Sequence, residues 1–403
     1  MQDDMAMENS VDMPIVLEDY PATRPSLRIA VVTETWPPEV NGVAVTLAKL
    51  VQSLSLRNHA VQLIRPRQAK TDFPVSDSSL EEVLMRGMPI PRYPELKLGL
   101  PSKKTLINTW TLRRPDVVHI ATEGPLGWSA LQAAKVLKLP VTSDFRTNFQ
   151  SYSKHYGVGW LRKPIVAYLR KFHNSTACTM VPTKELMRTL SENGFNNLKV
   201  VSRGVDTQLF NMHKRDPGLR NAWGATEDTK VLISVGRMAP EKNLDQVLKT
   251  YEALSFMGNQ IKLVMVGDGP LREQFQQKYP QIIFPGMLAQ SELAAYYASA
   301  DLFVFPSQTE TFGNVTLEAL ASGIPVLAFD CAAARDWVQT DFNGWLVAEN
   351  NPDGFSAQAV TIMKSSDLLS RVTQNTRNQV VHLDWGQIAE QVEGVLWDAI
   401  RIR

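Results

Sequence analysis

The sequence predicts an α/β protein built from two Rossmann-like domains, each a parallel sheet with helices on both faces, opposed across a cleft. Three observations predict it. From Leu27 onward short β-branched runs alternate with longer stretches of helical period. The alternation breaks at a polar, Pro- and Gly-containing stretch from Asp206 to Asp228 and then restarts. The length, 403 residues at 44% hydrophobic and 21% charged, suits two or three ordinary globular cores.

In chain order, residues 1–25 carry Asp3, Asp4, Glu8, Asp12, Glu18 and Asp19 against Arg24 and read as an acidic tail outside the folded body. Residues 26–205 form the first domain. Its strands are expected at Leu27–Val32, Ala60–Ile64, Asp116–Ile120 and Pro140–Asp144 and near Thr179 and Val200. Helices are expected through Val43–Leu54, Leu126–Leu137, Trp160–Phe172 and Thr183–Asn193, the last with Thr183 as N-cap. Residues 206–383 form the second domain, with strands at Lys230–Val235, Lys262–Val266, Ile282–Phe284, Leu302–Phe305 and Val326–Phe329. In 384–403 a last helix lines Ile388, Val392, Val395, Leu396 and Ile400 along one face, which needs a partner surface.

The bulk properties narrow the class. A net charge of +1 gives no argument for a nucleic-acid partner. Cys178 and Cys331 match no metal spacing and read as buried free thiols of a reducing compartment. No apolar run reaches the ~20 residues that span a bilayer, and the N-terminus lacks the basic-then-apolar order of a signal peptide. A cytoplasmic protein is expected, with peripheral contact at the inner membrane face as an extension of that reading.

The chemistry concentrates in Glu310-Thr-Phe-Gly-Asn-Val-Thr-Leu-Glu318. A strand precedes it and an apolar helical run, Val315 to Ala321, follows. In an open α/β sheet such a loop opens at the carboxyl edge, where ligands bind. Free N–H groups near Gly313 and Asn314 favour an anion, and two carboxylates beside them suit hydroxyls. A sugar nucleotide has both. A second loop, Ser234-Val-Gly-Arg-Met-Ala-Pro-Glu-Lys-Asn243, delivers Arg237 and Lys242 after a strand, two cations suited to a diphosphate. In the first domain Trp36-Pro-Pro-Glu-Val-Asn-Gly-Val43 sets Gly42 before a helix, for close backbone approach or positive φ. Gly267-Asp-Gly269 lacks the third glycine of a dinucleotide fingerprint.

These segments resemble the donor domain of the family 4 retaining glycosyltransferases, of the GT-B fold. The matching pieces are Gly204 to Phe210, Gly236 to Asn243, Val266 to Leu271, Phe284-Pro-Gly286, Phe305-Pro-Ser307, Glu310 to Glu318 and Ala321 to Val326. The first half is similar through Asn41-Gly42, Asp116-Val-Val-His-Ile120 and Ser143 to Tyr156. The resemblance extends to α-mannosyltransferases and to sulfoquinovosyl-diacylglycerol synthases.

It implies that Arg237 and Lys242 hold the donor diphosphate and that Glu310 contacts hydroxyls of the transferred sugar. Glu318 would bind the ribose. Gly236 belongs to the diphosphate loop. Backbone at Phe312, Gly313 and Asn314 would meet the sugar, with Val315 near the ribose or phosphate. Gly286, Met287 and Leu288 would edge the base, and Gly42 would approach the diphosphate from the other domain. The last helix would cross back onto the first domain. No cofactor and no metal is expected: there is no D-x-D in a strand-end loop, and positive side chains with a helix N-terminus can replace the ion. Retention in this family is thought to be a front-face process that needs no enzyme nucleophile.

Relatives commonly carry a histidine where this chain has Arg146, in Ser143-Asp-Phe-Arg-Thr-Asn-Phe149, and Thr122-Glu-Gly-Pro125 stands where some place another. Acceptor contacts are therefore expected from Glu123, Asp144, Arg146 and Asn148. Arg146 would either grip an acceptor phosphate or carboxylate or form a salt bridge to Asp144 or Glu123. Gly159 to Lys171, with Trp160, Arg162, Lys163, Arg170 and Lys171, fits either an anionic membrane surface or a helix packed on its own domain.

The expected reaction is transfer of a hexose from a UDP- or GDP-sugar to a lipid or glycan hydroxyl. Rival readings are a nucleotide-sugar epimerase or a phosphorylase of the same fold, a dinucleotide-dependent oxidoreductase, and a non-catalytic nucleotide-sugar-binding protein.

Overall fold

The computed structural model describes residues 26–39, 41–77, 79–90, 93–146, 162–257 and 260–402. The acidic segment 1–25, Asn148 and Trp160 lie outside the described residues.

The first domain contains β1 (Arg28–Val32), α1 (Gly42–Leu56), β2 (Ala60–Pro66), β3 (Leu80–Met85), β4 (Gly87–Ile90), β5 (Tyr93–Gly99), α2 (Lys103–Leu112), β6 (Val117–Ile120), α3 (Pro125–Val136), β7 (Val141–Asp144), α4 (Arg162–His173), β8 (Cys178–Val181), α5 (Lys184–Glu192) and β9 (Leu198–Val200). Seven of these strands form one parallel sheet in the order β3-β2-β1-β6-β7-β8-β9, and β4 and β5 form an antiparallel ribbon beside it. The β-branched runs of β1 and β6 have helices on both faces, so Ile29, Val31, Val117 and Ile120 are fully buried.

The second domain contains α6 (Pro217–Ala222), β10 (Lys230–Val235), α7 (Leu244–Phe256), β11 (Ile261–Val266), α8 (Arg272–Lys278), β12 (Ile283–Gly286), α9 (Gln290–Ser299), β13 (Leu302–Phe305), α10 (Asn314–Ala321), β14 (Val326–Phe329), α11 (Ala332–Trp337), β15 (Gly344–Val347), α12 (Pro352–Lys364) and α13 (Ser366–Thr373). Its strands run parallel in the order β12-β11-β10-β13-β14-β15. The order reverses between β10 and β13, so the loops after these two strands flank the crevice at the carboxyl edge. Those loops carry Arg237 and Lys242 on one side and Glu310 on the other.

Several elements differ from the sequence reading. The expected strands fell within a residue or three of their observed bounds, but β3, the β4–β5 ribbon, β15 and helix α2 carry no clear period and were not anticipated. The polar stretch from Asp206 to Asp228, placed at the start of the second domain, is not an open linker. Arg215 and Arg220 both bind Asp301, at 3.0 Å each, and Trp223 packs edge-on against Tyr296, so the stretch folds onto α9. Cys178 and Cys331 are free but only half-buried.

The chain crosses between domains twice, and the crossings touch: Val205 N–H donates to the Leu383 carbonyl at 2.9 Å. After the second crossing α14 (Trp385–Arg401) lies on the first domain. Ile388, Val392, Val395 and Leu396 pack with Leu47, Leu50, Val51 and Leu54 of α1. Arg57 of the first domain holds the buried Glu393 at 2.6 Å.

Candidate active site

The wall contributed by the second domain is assembled from paired charges. Lys242 Nζ lies 2.5 Å from Glu310 Oε1, and Ser307 Oγ donates to the same oxygen at 2.8 Å. Thr309 Oγ1 donates to the Glu241 carbonyl at 2.8 Å, tying the two loops together. Arg237, half exposed, stands beside Glu241. The loop that carries it rests directly on Gly267 and Gly269: a Cβ at Gly267 would lie 2.0 Å from the Gly236 carbonyl oxygen, and one at Gly269 would lie 2.5 Å from that of Met238. The Gly-Asp-Gly segment thus serves as a bed for the Arg237 loop.

Helix α10 begins immediately after this cluster. Gly313 is its N-cap with φ +91°, a left-handed turn that lets the chain leave Glu310 and enter the helix within three residues. Its first-turn N–H groups, from Asn314 and Val315, point away from the helix toward the cleft. Phe312 beneath is buried, and its carbonyl takes the Ala333 N–H at 2.8 Å. One turn along α10, Glu318 accepts a hydrogen bond from the hydroxyl of fully buried Tyr297 at 3.1 Å. Burial lifts the Glu318 carboxyl from 4.5 to about 7 against the pull of that hydrogen bond. Gly286 ends β12, where its carbonyl takes the Gly267 N–H at 2.9 Å. Met287 beyond it is exposed and Leu288 half-buried.

The opposite wall is the first domain. Asn41 caps α1 by accepting from the N–H groups of Val43 and Ala44. Gly42 follows at the mouth of the cleft, and a Cβ there would meet Asn314 Nδ2 at 3.5 Å. Gly42 is not among the positive-φ residues, and 3.5 Å is an ordinary van der Waals contact, so its described neighbours alone do not demand a glycine there. Thr311 Oγ1 also reaches the Arg146 carbonyl at 3.5 Å.

The acceptor-side residues split up. Arg146 forms the internal salt bridge: Nε and Nη2 lie 2.8 and 2.5 Å from Asp144 Oδ2, and Nη1 donates to Thr46 Oγ1 at 2.8 Å. Asp144 is buried and receives Arg203 as well. Glu123 stands apart from this group and offers its carbonyl to Tyr168 at 2.5 Å. In α4, Leu169 and Phe172 are buried in the domain, while Lys163, Arg170 and Lys171 stay exposed. Part of the apolar face is consumed by packing, while Tyr168 and the cations of the described helix meet solvent.

Three residues escaped the sequence reading. Tyr297 looks like any core aromatic of an amphipathic helix. Arg203 sits in the crossing segment. Glu34 is buried, its carboxylate taking the N–H groups of Leu126 at 2.9 Å and Gly99 at 3.4 Å, and burial raises it from 4.5 to about 7. The Thr-Glu-Thr-Trp run around Glu34 gives no signal of this, because its partners are backbone amides more than sixty residues away.

Comparison with known proteins agrees with this geometry. Residues 216–379 match the model for glycosyl transferases group 1, and residues 40–209 match glycosyltransferase family 4. The chain is 33% identical over 332 residues to the GDP-mannose-dependent alpha-mannosyltransferase of Mycolicibacterium smegmatis, covering 82% of this chain and 86% of that protein. It is 30% identical to the alpha-monoglucosyldiacylglycerol synthase of Streptococcus pneumoniae, over 75% of this chain and 71% of that one. Among solved structures, the sucrose-phosphate synthase of Thermosynechococcus elongatus superposes with a TM-score of 0.76 at 17% identity, covering 94% of this chain and 100% of the other. The two facing parallel sheets are therefore those of the GT-B fold, and the chain belongs to the family 4 glycosyltransferases: it is an enzyme that transfers a glycosyl group.

Proposed function

We propose that the enzyme transfers mannose from GDP-mannose, with the α configuration retained and without a metal ion, to a hydroxyl of a lipid or glycan. The observation that carries the donor site is the meeting of Lys242, Glu310, the α10 N-terminus and Glu318 along one loop and helix, with Gly42 opposite. Arg237, Lys242 and the helix N-terminus offer positive charge where a departing diphosphate would develop negative charge. A helix end contributes about 0.3–1 kcal/mol when exposed and up to ~2 when partly buried, and preorganised donors in a closed cleft about 3–4 kcal/mol each by analogy with oxyanion holes.

Glu310 already holds Lys242 through Oε1, which leaves Oε2 to accept from sugar hydroxyls. Glu318 has Tyr297 on Oε2, which leaves Oε1 for the ribose diol. The leaving phosphate, held on the same face as the sugar, would take the proton of the incoming hydroxyl, so no side-chain nucleophile is assigned. The choice of GDP-mannose follows the mycobacterial relative, whose name specifies that donor and an α product. A lipid acceptor follows the streptococcal one. The exposed cations of α4 would favour an anionic membrane by attraction rather than by insertion. Among the described residues no helix is long and apolar enough to cross a membrane.

A thermal-shift panel of GDP-, UDP- and ADP-sugars tests the donor. The right one stabilises by RT ln(1 + [L]/Kd), about 2.7 kcal/mol at a hundredfold excess over Kd. Glu310→Gln and Arg237→Ala should each reduce transfer at least about a hundredfold while the protein stays folded. Turnover near wild type in either variant would refute the site assignment. Stabilisation by UDP-sugars alone would replace the proposed donor.

A further inference from the structure

A surplus of buried positive charge lies on the first-domain side of the cleft, and the donor chemistry does not use it. Asp144 at the end of β7 is 2% exposed. Arg146 and Arg203 both bind its Oδ2, Arg203 Nη1 at 3.2 Å, and their side chains are 6% and 9% exposed. His119 Nε2 is 3.8 Å from the same oxygen, and its Nδ1 pairs with Thr142 Oγ1. Nearby His173 is held neutral by burial, which pushes it down to about 3. Asp206, three residues beyond Arg203, is engaged by Lys49 at 3.1 Å. Two permanent cations therefore share one carboxylate.

The surplus is physical rather than formal. Burial opposes the charge on Asp144, yet Arg146 and Arg203 together hold it well below the usual carboxylate range. Arg203 is pushed down to about 10 by burial and by repulsion from Arg146, which still leaves it cationic at neutral pH. Of its five N–H donors one is hydrogen-bonded among the described residues. Residues 147–161, which follow Arg146 directly, contain no Asp or Glu and add Lys154 and His155. A buried charge only half-compensated is costly, and such a charge beside a cleft marks a candidate binding site.

The place is also informative. Arg146 donates to Thr46, one turn beyond Gly42, and its carbonyl meets Thr311 beside Glu310. The surplus thus borders the pocket assigned to the transferred sugar, on the wall that does not hold the nucleotide. We propose that Arg203, with Arg146, forms an anion subsite for the acceptor, and hence that the acceptor carries a phosphate or carboxylate near the hydroxyl that receives the sugar. This rests on the glycosyl-transfer reading above. The planar fork of Arg203 suits two oxygens of such a group.

The test uses the full chain, inorganic phosphate as the probe, and saturating GDP to fill the donor pocket. Phosphate should raise the melting temperature of the GDP-bound wild type. In Arg203→Met the midpoint of that response should move at least about tenfold higher in phosphate, with the GDP shift unchanged. Arg203→Met leaves Asp144 matched by Arg146, so its own melting temperature should equal or exceed wild type. Arg203→Lys, which keeps charge without the fork, should show an intermediate midpoint. A variant that unfolds or melts much lower makes Arg203 a structural counter-ion and overturns the proposal. So does a phosphate response that survives in Arg203→Met, or one that vanishes in wild type when GDP is added, which would assign the anion to the donor pocket. Absence of any GDP shift in wild type would instead refute the donor reading, leaving the phosphate arm still decisive for Arg203.

Discussion

The two walls of the cleft carry charge in opposite ways. On the second domain, Lys242 and Glu310 pair one to one at the mouth of the site, and Tyr297 and Glu318 pair just behind it. On the first domain the charge lies under the surface and does not balance: two guanidiniums on Asp144, and a lone carboxyl, Glu34, among backbone amides. A matched pair can be opened by a ligand at modest cost when each partner trades one contact for another. Buried, unmatched groups cannot relax, so they fix loops and wait for a counter-charge. The second-domain wall is therefore a set of exchangeable contacts on a rigid frame, and the first-domain wall is a preset field.

The comparison breaks most visibly at the frame. Gly267→Ala drives a methyl into the Gly236 carbonyl and forces an alanine to φ +130°. It should cost about 2–4 kcal/mol and displace the Arg237 loop, seen as a lower melting temperature together with a raised donor KM. A normal KM in a folded variant would show that the loop does not depend on its glycine bed.

Stability against pH sharpens the other wall. Folded Glu34 titrates near 7 against an ordinary 4.5, so the native state holds its proton more tightly than the unfolded chain. Its favourable contribution is complete below pH 4.5 and is lost as pH rises through 7, on the order of 3 kcal/mol in all. Glu318 has the same sign and window. Melting curves from pH 5 to 8 should fall for wild type, and Glu34→Gln should remove about half of that slope. A slope that rises with pH would invert the assignment.

Tyr297→Phe should weaken GDP about five- to tenfold, the worth of one ordinary hydrogen bond of about 1 kcal/mol. It should leave 2′,3′-dideoxy-GDP unaffected, because the effect passes through the ribose diol. Equal losses on both nucleotides would make Tyr297 a packing residue. The smallest effect belongs to the pair that joins the walls outside the site: Arg335 binds Glu185 across the domains, both about a third exposed. Glu185→Ala should change stability by less than about 1 kcal/mol and leave kcat unchanged.

How much of this could be read from residues alone follows the same divide. The second-domain wall is local in sequence: strand, loop and helix succeed one another, so Arg237, Lys242, Glu310 and Glu318 announce their places through period and spacing. The first-domain wall is made at long range. Asp144 meets Arg203 across 59 positions and Glu34 meets Leu126 across 92, and nothing in either local pattern encodes the meeting. Arg146 shows the limit well: Asp144 was one of two salt-bridge partners legible in the sequence, and only the fold chose between them. The β4–β5 ribbon was hidden because its short strands, GMPI and YPELKLG, carry glycine, proline and charged residues with no clear period.

Helix α14 closes the first domain with the last residues of the chain. During synthesis the apolar face of α1, with Leu47, Leu50 and Leu54, leaves the ribosome more than three hundred residues before Ile388 and Val392 arrive to cover it. The second domain, whose strands and helices are contiguous, can finish first. Of the two domains, the one made earlier is thus completed later, and a truncation of α14 should leave the second domain folded while the first is exposed to chaperones and proteases.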